Sequence, residues 1–177
     1  MLSMCCHHQM TRSFTRTTDP ASPEGVTELI LRIFRLNGAL LAAGDRLVGG
    51  LGLTSARWQL LGGIMDQEEP LSVAQLAREI GVTRQSVQRI ANELEAEGIV
   101  AFRPNPRHKR AQLIELTARG REVFARSMEL QRPWAASLGR ALTAAQVCDA
   151  CETLTALLTA LKDITPAGAE SMAEQDG

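Results

Sequence analysis

The sequence predicts a mostly α-helical fold with one small β-hairpin. Apolar residues recur at steps of three and four along most of the chain, which is the period of amphipathic helices. With 45% hydrophobic but only 3% aromatic residues, the core must be built from aliphatic side chains, as in helix packing. Between residues 99 and 116 the pattern changes to two short apolar runs around a proline-containing turn, which indicates the hairpin. The 177 residues have room for one domain with tails.

A long first helix is predicted over residues 24–48, after a disordered tail over 1–23. The helix carries one apolar stripe, formed by Val26, Leu29, Ile30, Ile33, Leu36, Leu40, Ala43 and Leu47. It is expected to end at the glycines of residues 49–52, because glycine favours turns over helix interiors. The tail is rich in Ser and Thr and lacks the apolar segment of a secretory signal.

Three shorter helices follow, and each begins after a hydroxyl side chain that can cap its first turn: Thr54, Ser72 and Thr83. Ser72 and Gln75 form a capping box, and Gly81 supplies the left-handed residue that ends this third helix. The inward stripe of the fourth helix consists of Val87, Ile90, Ala91 and Leu94. Two capped helices separated by a three-residue turn indicate a helix-turn-helix.

The fourth helix carries the candidate DNA-reading residues. With its apolar stripe buried, the residues predicted to face outward or to lie at its first turn are Thr83, Arg84, Gln85, Ser86, Gln88, Arg89 and Asn92. Arginine can pair bidentately with guanine and glutamine with adenine, and a helix N-terminus favours a phosphate. An exposed polar face is also typical of any surface helix, so the interpretation depends on the neighbouring segments.

The hairpin that follows has a basic tip. Strands are predicted over 99–103 and 111–116, and the candidate DNA-contacting residues are Arg103, Arg107, His108, Lys109 and Arg110. Six basic residues and one acid lie between residues 100 and 121, a local charge of +5 in a chain of net charge −1. We expect Arg110 in the minor groove and the other arginines and Lys109 on phosphates, with solvated surface charge as the alternative. Residues 54–117 are thus predicted to form a winged helix-turn-helix lobe that binds double-stranded DNA.

Two long helices are predicted after the hairpin, over about 118–140 and 144–163, followed by a disordered tail over 164–177. Pro133 is expected to kink the first, because proline removes a backbone hydrogen bond. The second begins at a capping box and carries another apolar stripe. The stripes at the two ends of the domain exceed what a small winged helix needs for its own core. We therefore favour a homodimer built on helices 24–48 and 118–163 over an intrachain helical pair.

The cysteines do not indicate an enzyme. Cys148 and Cys151 have C-x-x-C spacing, but they lie in an apolar helical pattern where burial as small side chains is expected. A thiol redox couple is the enzymatic alternative, and a winged helix used only for protein contacts is another. Cys5 and Cys6 form too weak a pattern for a metal site. We expect no enzyme activity, no cofactor, no metal and no membrane partner, since no apolar run approaches the roughly 20 residues of a membrane span. A cytoplasmic location is the expectation.

Taken together, these segments resemble the MarR family of bacterial transcriptional regulators. The resemblance covers about 24–163 and is carried by residues 53–61, 72–77, 83–89, 94–100, 105–111 and 116–120. It implies a homodimeric winged-helix protein, usually a repressor; a two-fold dimer would present its two reading heads to a palindromic operator. The final wing arginine of the family is retained as Arg110, whereas Asn105 and His108 stand where the family's wing usually carries acids. The first helix lacks the cysteine of the peroxide-sensing members.

The resemblance also implies control by a small ligand, often aromatic or phenolic. A ligand held between the dimerisation helices and the helix-turn-helix would change the spacing of the two reading heads, which must be about 34 Å to match successive major grooves. Arg57 and Trp58 are candidates for such a pocket, with a place in the core as the alternative for Trp58.

Overall fold

The computed structural model describes residues 20–106 and 111–164, which contain six α-helices, one 3-10 turn and three short strands. The helices are α1 Pro23–Val48, α2 Ser55–Met65, α3 Val73–Ile80, α4 Arg84–Ala96, α5 Ala118–Gly139 and α6 Ala144–Ile164. The strands are β1 Leu71–Ser72, β2 Val100–Arg103 and β3 Leu113–Leu116. The predicted fold class, mostly helical with a small hairpin, is confirmed.

The capping residues start the helices where the sequence predicts. Thr54 accepts a hydrogen bond from the backbone of Arg57, and Thr83 accepts one from Ser86. The capping box of Ser72 and Gln75 is complete, and Gly81 ends α3 with a φ of 71°. The α3–α4 helix-turn-helix is therefore built by local hydrogen bonds that satisfy the exposed N–H groups of each first turn.

α1 ends where the sequence predicts. The helix stops at Val48, and residues Gly49–Leu51 form a 3-10 turn. Gly52 is the residue that takes the left-handed conformation, with a φ of 73°. A non-glycine side chain there would be strained, which explains why the turn needs this glycine.

The sheet contains a strand that the sequence pattern did not reveal. β1 pairs antiparallel with β3, which also pairs with β2, so the order is β1-β3-β2. A two-residue strand has no periodicity to detect, because its pairing depends only on its position beside β3. Ile114 and Leu116 of β3 are both buried, because alternate residues of a strand lie on the same face of the sheet.

The chain divides into two compact units, with the boundary between Pro133 and Trp134. In the first unit, one hydrophobic cluster joins the end of α1 to α2, α3, α4 and the sheet; its most buried side chains include Leu60, Leu61, Leu76, Val87, Leu94 and Ile114. Ser55 connects α1 and α2: its N–H donates to Asp45 Oδ1 at 2.6 Å, and its Oγ donates to the Leu41 carbonyl at 2.6 Å. These hydrogen bonds join the C-terminal half of α1 to the start of α2.

The second unit contains the end of α5 and all of α6. The predicted capping box at its start is confirmed, since Thr143 N–H donates to Gln146 Oε1 at 2.8 Å and Gln146 N–H donates to Thr143 Oγ1 at 3.2 Å. α5 is a single helix with Pro133 inside it. No residue of α6 is buried.

The prediction that Cys148 and Cys151 are buried was wrong for the subunit. Cys148 is only half-buried and Cys151 is exposed. The physical reason is that an apolar stripe predicts burial only where another surface covers it, and α6 leaves Leu154, Leu158 and Leu161 exposed as well.

Candidate nucleic-acid interface

The candidate interface is centred on α4. Its stripe of Val87, Ile90, Ala91 and Leu94 is buried in the core, and this turns the opposite side of the helix to solvent. The predicted reading residues Thr83, Arg84, Gln85, Ser86, Arg89 and Asn92 are exposed, and Gln88 is half-buried. The structure therefore places all seven on one capped helix whose inner side is held by packing.

Several of these side chains hydrogen-bond to one another along the surface of α4. Gln88 Nε2 donates to Asn92 Oδ1 at 2.8 Å, and the Thr83 hydroxyl donates to Ser86 Oγ at 2.9 Å. Exposed bonds of this kind compete with water and cost little to exchange. The same amide and hydroxyl groups can therefore turn to base edges.

An ion-pair cluster connects α2 to the C-terminal half of α4. Arg57 Nη2 lies 2.8 Å from Glu97 Oε1 and 3.2 Å from Glu93 Oε2, and its Nη1 donates to the Gly52 carbonyl at 3.3 Å. Glu93 also pairs with Arg89, since Arg89 Nη1 lies 2.6 Å from Glu93 Oε1. The candidate reader Arg89 is thus connected through Glu93 to Arg57.

The ion pairs of this cluster shift the pKa values of Arg57 and Glu93 in opposite directions. Burial by itself would lower the pKa of Arg57, but the hydrogen bonds to Glu97 and Glu93 outweigh it and raise that pKa above its ordinary value. The hydrogen bond from Arg57, followed by the one from Arg89, holds the pKa of Glu93 below its ordinary range. Both shifts favour the charged forms of Arg57 and Glu93 at neutral pH.

The base of the hairpin holds one of the five predicted wing residues. Arg103 at the end of β2 donates from Nε to Glu115 Oε1 of β3 at 2.6 Å, so its charge is partly neutralised before any partner arrives. The arginine side of the pair is exposed. Arg107, His108, Lys109 and Arg110 lie outside the described residues.

A shallow groove of about 90 Å³ separates α4 from the hairpin. It is lined by Arg84 and Gln88 of α4, the start of α3, Phe102 and the segment 111–112. Gln112 therefore lines the same groove as Arg84 and Gln88, although no sequence pattern pointed to it. Gln112 lies near Arg84 and Gln88 because β3, which begins at the next residue, pairs with β1 and β2. Local sequence patterns do not reveal this pairing.

The two residues considered for a ligand pocket have other roles in the subunit. Trp58 is half-buried and packs against the core, and Arg57 is held by Glu93 and Glu97. In the described residues, no group of three or more His, Cys, Asp or Glu side chains is placed to hold a metal ion. No helix within those ranges is long and apolar enough to cross a membrane.

Known proteins of similar sequence decide the family. The sequence model of the MarR family matches residues 51–111, from the turn before α2 to the hairpin. An uncharacterised protein of Mycobacterium tuberculosis is 42% identical over 99 residues, which is 56% of this chain and 68% of that protein. The chain belongs to the MarR family. As a MarR-family protein it is a DNA-binding transcription regulator and not an enzyme.

Other relatives agree with this assignment. The transcriptional activatory protein BadR of Rhodopseudomonas palustris is 31% identical over 115 residues, covering 64% of this chain and 66% of BadR. The MosR regulator of M. tuberculosis, solved with DNA, superimposes with a TM-score of 0.67 at 23% identity over 77% of this chain and 98% of that one. An organohalide-sensing regulator bound to 2,4-dichlorophenol gives 0.70 at 19% identity over 88% of this chain and 94% of that one. The structures support the MarR-family winged-helix fold.

Proposed function

We propose that this regulator is a homodimer that recognises a palindromic operator, acts as a repressor, and is released from DNA by a small aromatic or phenolic effector. The observation that carries the proposal is the exposed polar side of α4. It presents arginine, glutamine, asparagine and serine side chains on a helix whose other side is fully packed. A helix fixed in this way can enter a major groove without losing the contacts that position it.

The exposed apolar surface of α1 supports the dimer. Ile30, Leu31, Phe34, Leu36 and Leu40 are large apolar residues that are all exposed in the subunit. Exposed apolar patches on a soluble protein commonly mark surfaces that bind another protein. In the second unit, α6 carries a comparable set, Val147, Leu154, Leu158, Leu161 and Ile164. A two-fold dimer would cover these residues and present two copies of α4 to one duplex.

Binding-site selection from random DNA with the purified protein tests the core of the proposal. We expect an enriched palindromic motif whose half-sites are about one helical turn apart, because each copy of α4 reads one half-site. Repression is tested by placing the selected motif across a reporter promoter. Enrichment of an asymmetric motif, or of none, would contradict the two-headed mode of binding.

We expect Gln88→Ala and Arg89→Ala to relax base preference. Each loss should cost about 1–3 kcal/mol of discrimination at one base pair of a half-site, the usual value of a bidentate base contact. Repeating the selection with each variant measures this directly. Glu129→Ala on α5 is a control outside α4, and it should leave the motif unchanged. If the motif is retained by both α4 variants, this helix does not read the bases.

Arg110→Ala tests the wing. If Arg110 neutralises one phosphate, the variant should bind the operator more weakly, and the slope of log affinity against log salt should flatten by about 0.9 per subunit. Titrations between low and moderate salt measure both quantities. An unchanged affinity together with an unchanged slope would remove Arg110 from the interface.

A small phenolic effector is supported by the dichlorophenol-bound regulator of the same fold. The proposed mechanism requires the effector to bind better to a dimer whose reading heads are wrongly spaced than to the DNA-bound form. Titrating simple phenols into the protein–operator complex should therefore release DNA. Binding of a phenol without release would contradict the coupling.

A further inference from the structure

The two arginines that pair with Glu93 contact different oxygens of its carboxylate. Glu93 uses one carboxylate oxygen for each: Oε2 contacts Arg57 of α2 at 3.2 Å, and Oε1 contacts Arg89 of α4 at 2.6 Å. Arg57 is further held by Glu97 and by the carbonyl of Gly52. One oxygen of the Glu93 carboxylate is therefore held by Arg57 of α2, and the other oxygen pairs with Arg89, the candidate base-contacting residue.

The exposures of the two arginines show which one can leave the cluster. The side chain of Arg57 is 17% exposed, whereas that of Arg89 is 66% exposed. Arg57 has three acceptors around it, so neither water nor DNA can readily replace them. Within residues 20–106 and 111–164, the ion pair of Arg89 is with Glu93, one turn further along the helix, and exposed pairs of that kind are weak.

The geometry of the guanidinium determines which N–H groups of Arg89 can contact a base while the pair with Glu93 is kept. Only Nη1 of Arg89 is used by Glu93. The Nε–H and the outer Nη2–H point together along a different edge of the planar group, and two parallel donors are what the O6 and N7 atoms of guanine require. A phosphate can also accept two parallel donors, but its oxygens point in several directions, so a single N–H in many orientations is enough to bind it. A carboxylate that fixes the plane of Arg89 therefore favours guanine without favouring phosphate in the same measure.

We propose that Glu93, itself held by Arg57, is a positioning residue that orients Arg89 for bidentate reading of guanine. The inference rests on the proposed function, in which Arg89 contacts a base. Arg57 has a second effect, because its positive charge offsets Glu93 of α4 and Glu97 directly after α4, two acids that would otherwise add negative charge near the proposed DNA-binding surface. Glu93 thus determines specificity, and Arg57 supports both specificity and affinity.

Glu93→Gln and Arg57→Gln should separate these effects. The Glu93→Gln variant is expected to lose roughly three- to tenfold in preference for guanine at the base pair read by Arg89, a part of what one bidentate contact supplies. Its affinity for non-operator DNA should be unchanged or higher, because a negative charge is removed near the phosphates. Arg57→Gln should lose similar base preference, but its affinity for all DNA should fall.

The experiment is a set of competition titrations with the selected operator, with operators substituted at single base pairs, and with non-operator DNA. Arg89→Ala first identifies the base pair that this residue reads. Glu95→Gln is the matched control, because it removes the same charge from an exposed position of the same helix and is not part of the cluster. Thermal melts of each variant show whether the fold is retained. If Arg57→Gln unfolds, the Glu93→Gln variant still tests the inference, because the side chain of Glu93 is half-exposed and its replacement disturbs the core less.

The double variant Arg57→Gln with Glu93→Gln adds a further check. If Arg57 acts on base preference through Glu93, the double variant should lose no more guanine preference than Glu93→Gln alone. Equal effects of Glu93→Gln and Glu95→Gln, or full guanine preference in Glu93→Gln, would overturn the inference while leaving the proposed function intact. If Arg89→Ala itself changes no base preference, the reading role of Arg89 fails and the inference fails with it.

Discussion

Replacing Phe34 by glutamate is expected to convert the protein to a monomer and to reduce operator affinity by roughly 10²–10⁴-fold, the range by which linking two binding heads raises affinity. Phe34 is 68% exposed in the subunit and lies one helical turn after the exposed Ile30 and Leu31. In a dimer interface, a glutamate at this position would be a buried and unpaired charge, which costs several kcal/mol. On a surface that faces only water, the same change would cost less than about 0.5 kcal/mol.

Ala39→Glu is the matched control for Phe34→Glu. Ala39 is exposed on the same helix, but it lies four residues after Arg35 and seven after Arg32, on the charged side. The introduced charge is the same and only the side of the helix differs. Sedimentation equilibrium over a range of protein concentrations measures the assembly, and titration with the selected operator measures affinity. A Phe34→Glu protein that remains dimeric would show that this face of α1 is not the interface.

Gly120→Ala is expected to destabilise the first compact unit by about 2–4 kcal/mol, through overpacking against backbone that cannot move aside. A Cβ on Gly120 would be driven into the backbone carbonyl of Ile99. The same junction is tied by Thr117, whose hydroxyl donates to the carbonyl of Gly98 at 2.7 Å and accepts from the N–H of Gly120 at 3.0 Å. The start of α5 and the segment before β2 therefore approach too closely for any side chain.

Gly49→Ala provides the control for Gly120→Ala. Gly49 has an ordinary helical φ of −57°, and an added Cβ would meet nothing within 4 Å. Its stability should be unchanged or raised by up to about 1 kcal/mol, since alanine restricts the unfolded chain. Thermal and urea unfolding should be compared at equal protein concentration, because association shifts apparent stability. A Gly120→Ala protein as stable as wild type would contradict the close approach.

Much of the fold could be predicted because its signals are local. Thr54, Ser72 and Thr83 cap helices through hydrogen bonds that span three residues, and Gly81 ends α3 by its own conformational freedom. The stripe of α4 follows from helical periodicity and is buried as expected. Once that stripe is buried, the exposed reading residues follow from the same geometry.

The errors occurred where a residue's environment is set by distant parts of the chain. Cys151 looked buried because it belongs to an apolar stripe, yet nothing in the sequence of α6 states whether another surface covers that stripe. β1 was missed because two residues form a strand only beside β3. The pair of Arg89 and Glu93 could be predicted from its i, i+4 spacing on one helix. The contact between Arg57 and Glu93 could not, because the two residues are 36 positions apart in the chain.

The sequence by itself determined the helices, their caps, the helix-turn-helix and the identity of the outward side chains of α4, because each depends on backbone hydrogen bonds and periodicity within a few residues. Only the tertiary structure decided that Arg57 holds Glu93, that Gln112 shares a groove with Arg84 and Gln88, and that Gly120 admits no side chain. Those contacts join segments far apart in the chain, so they exist only after the core has packed and brought the segments together.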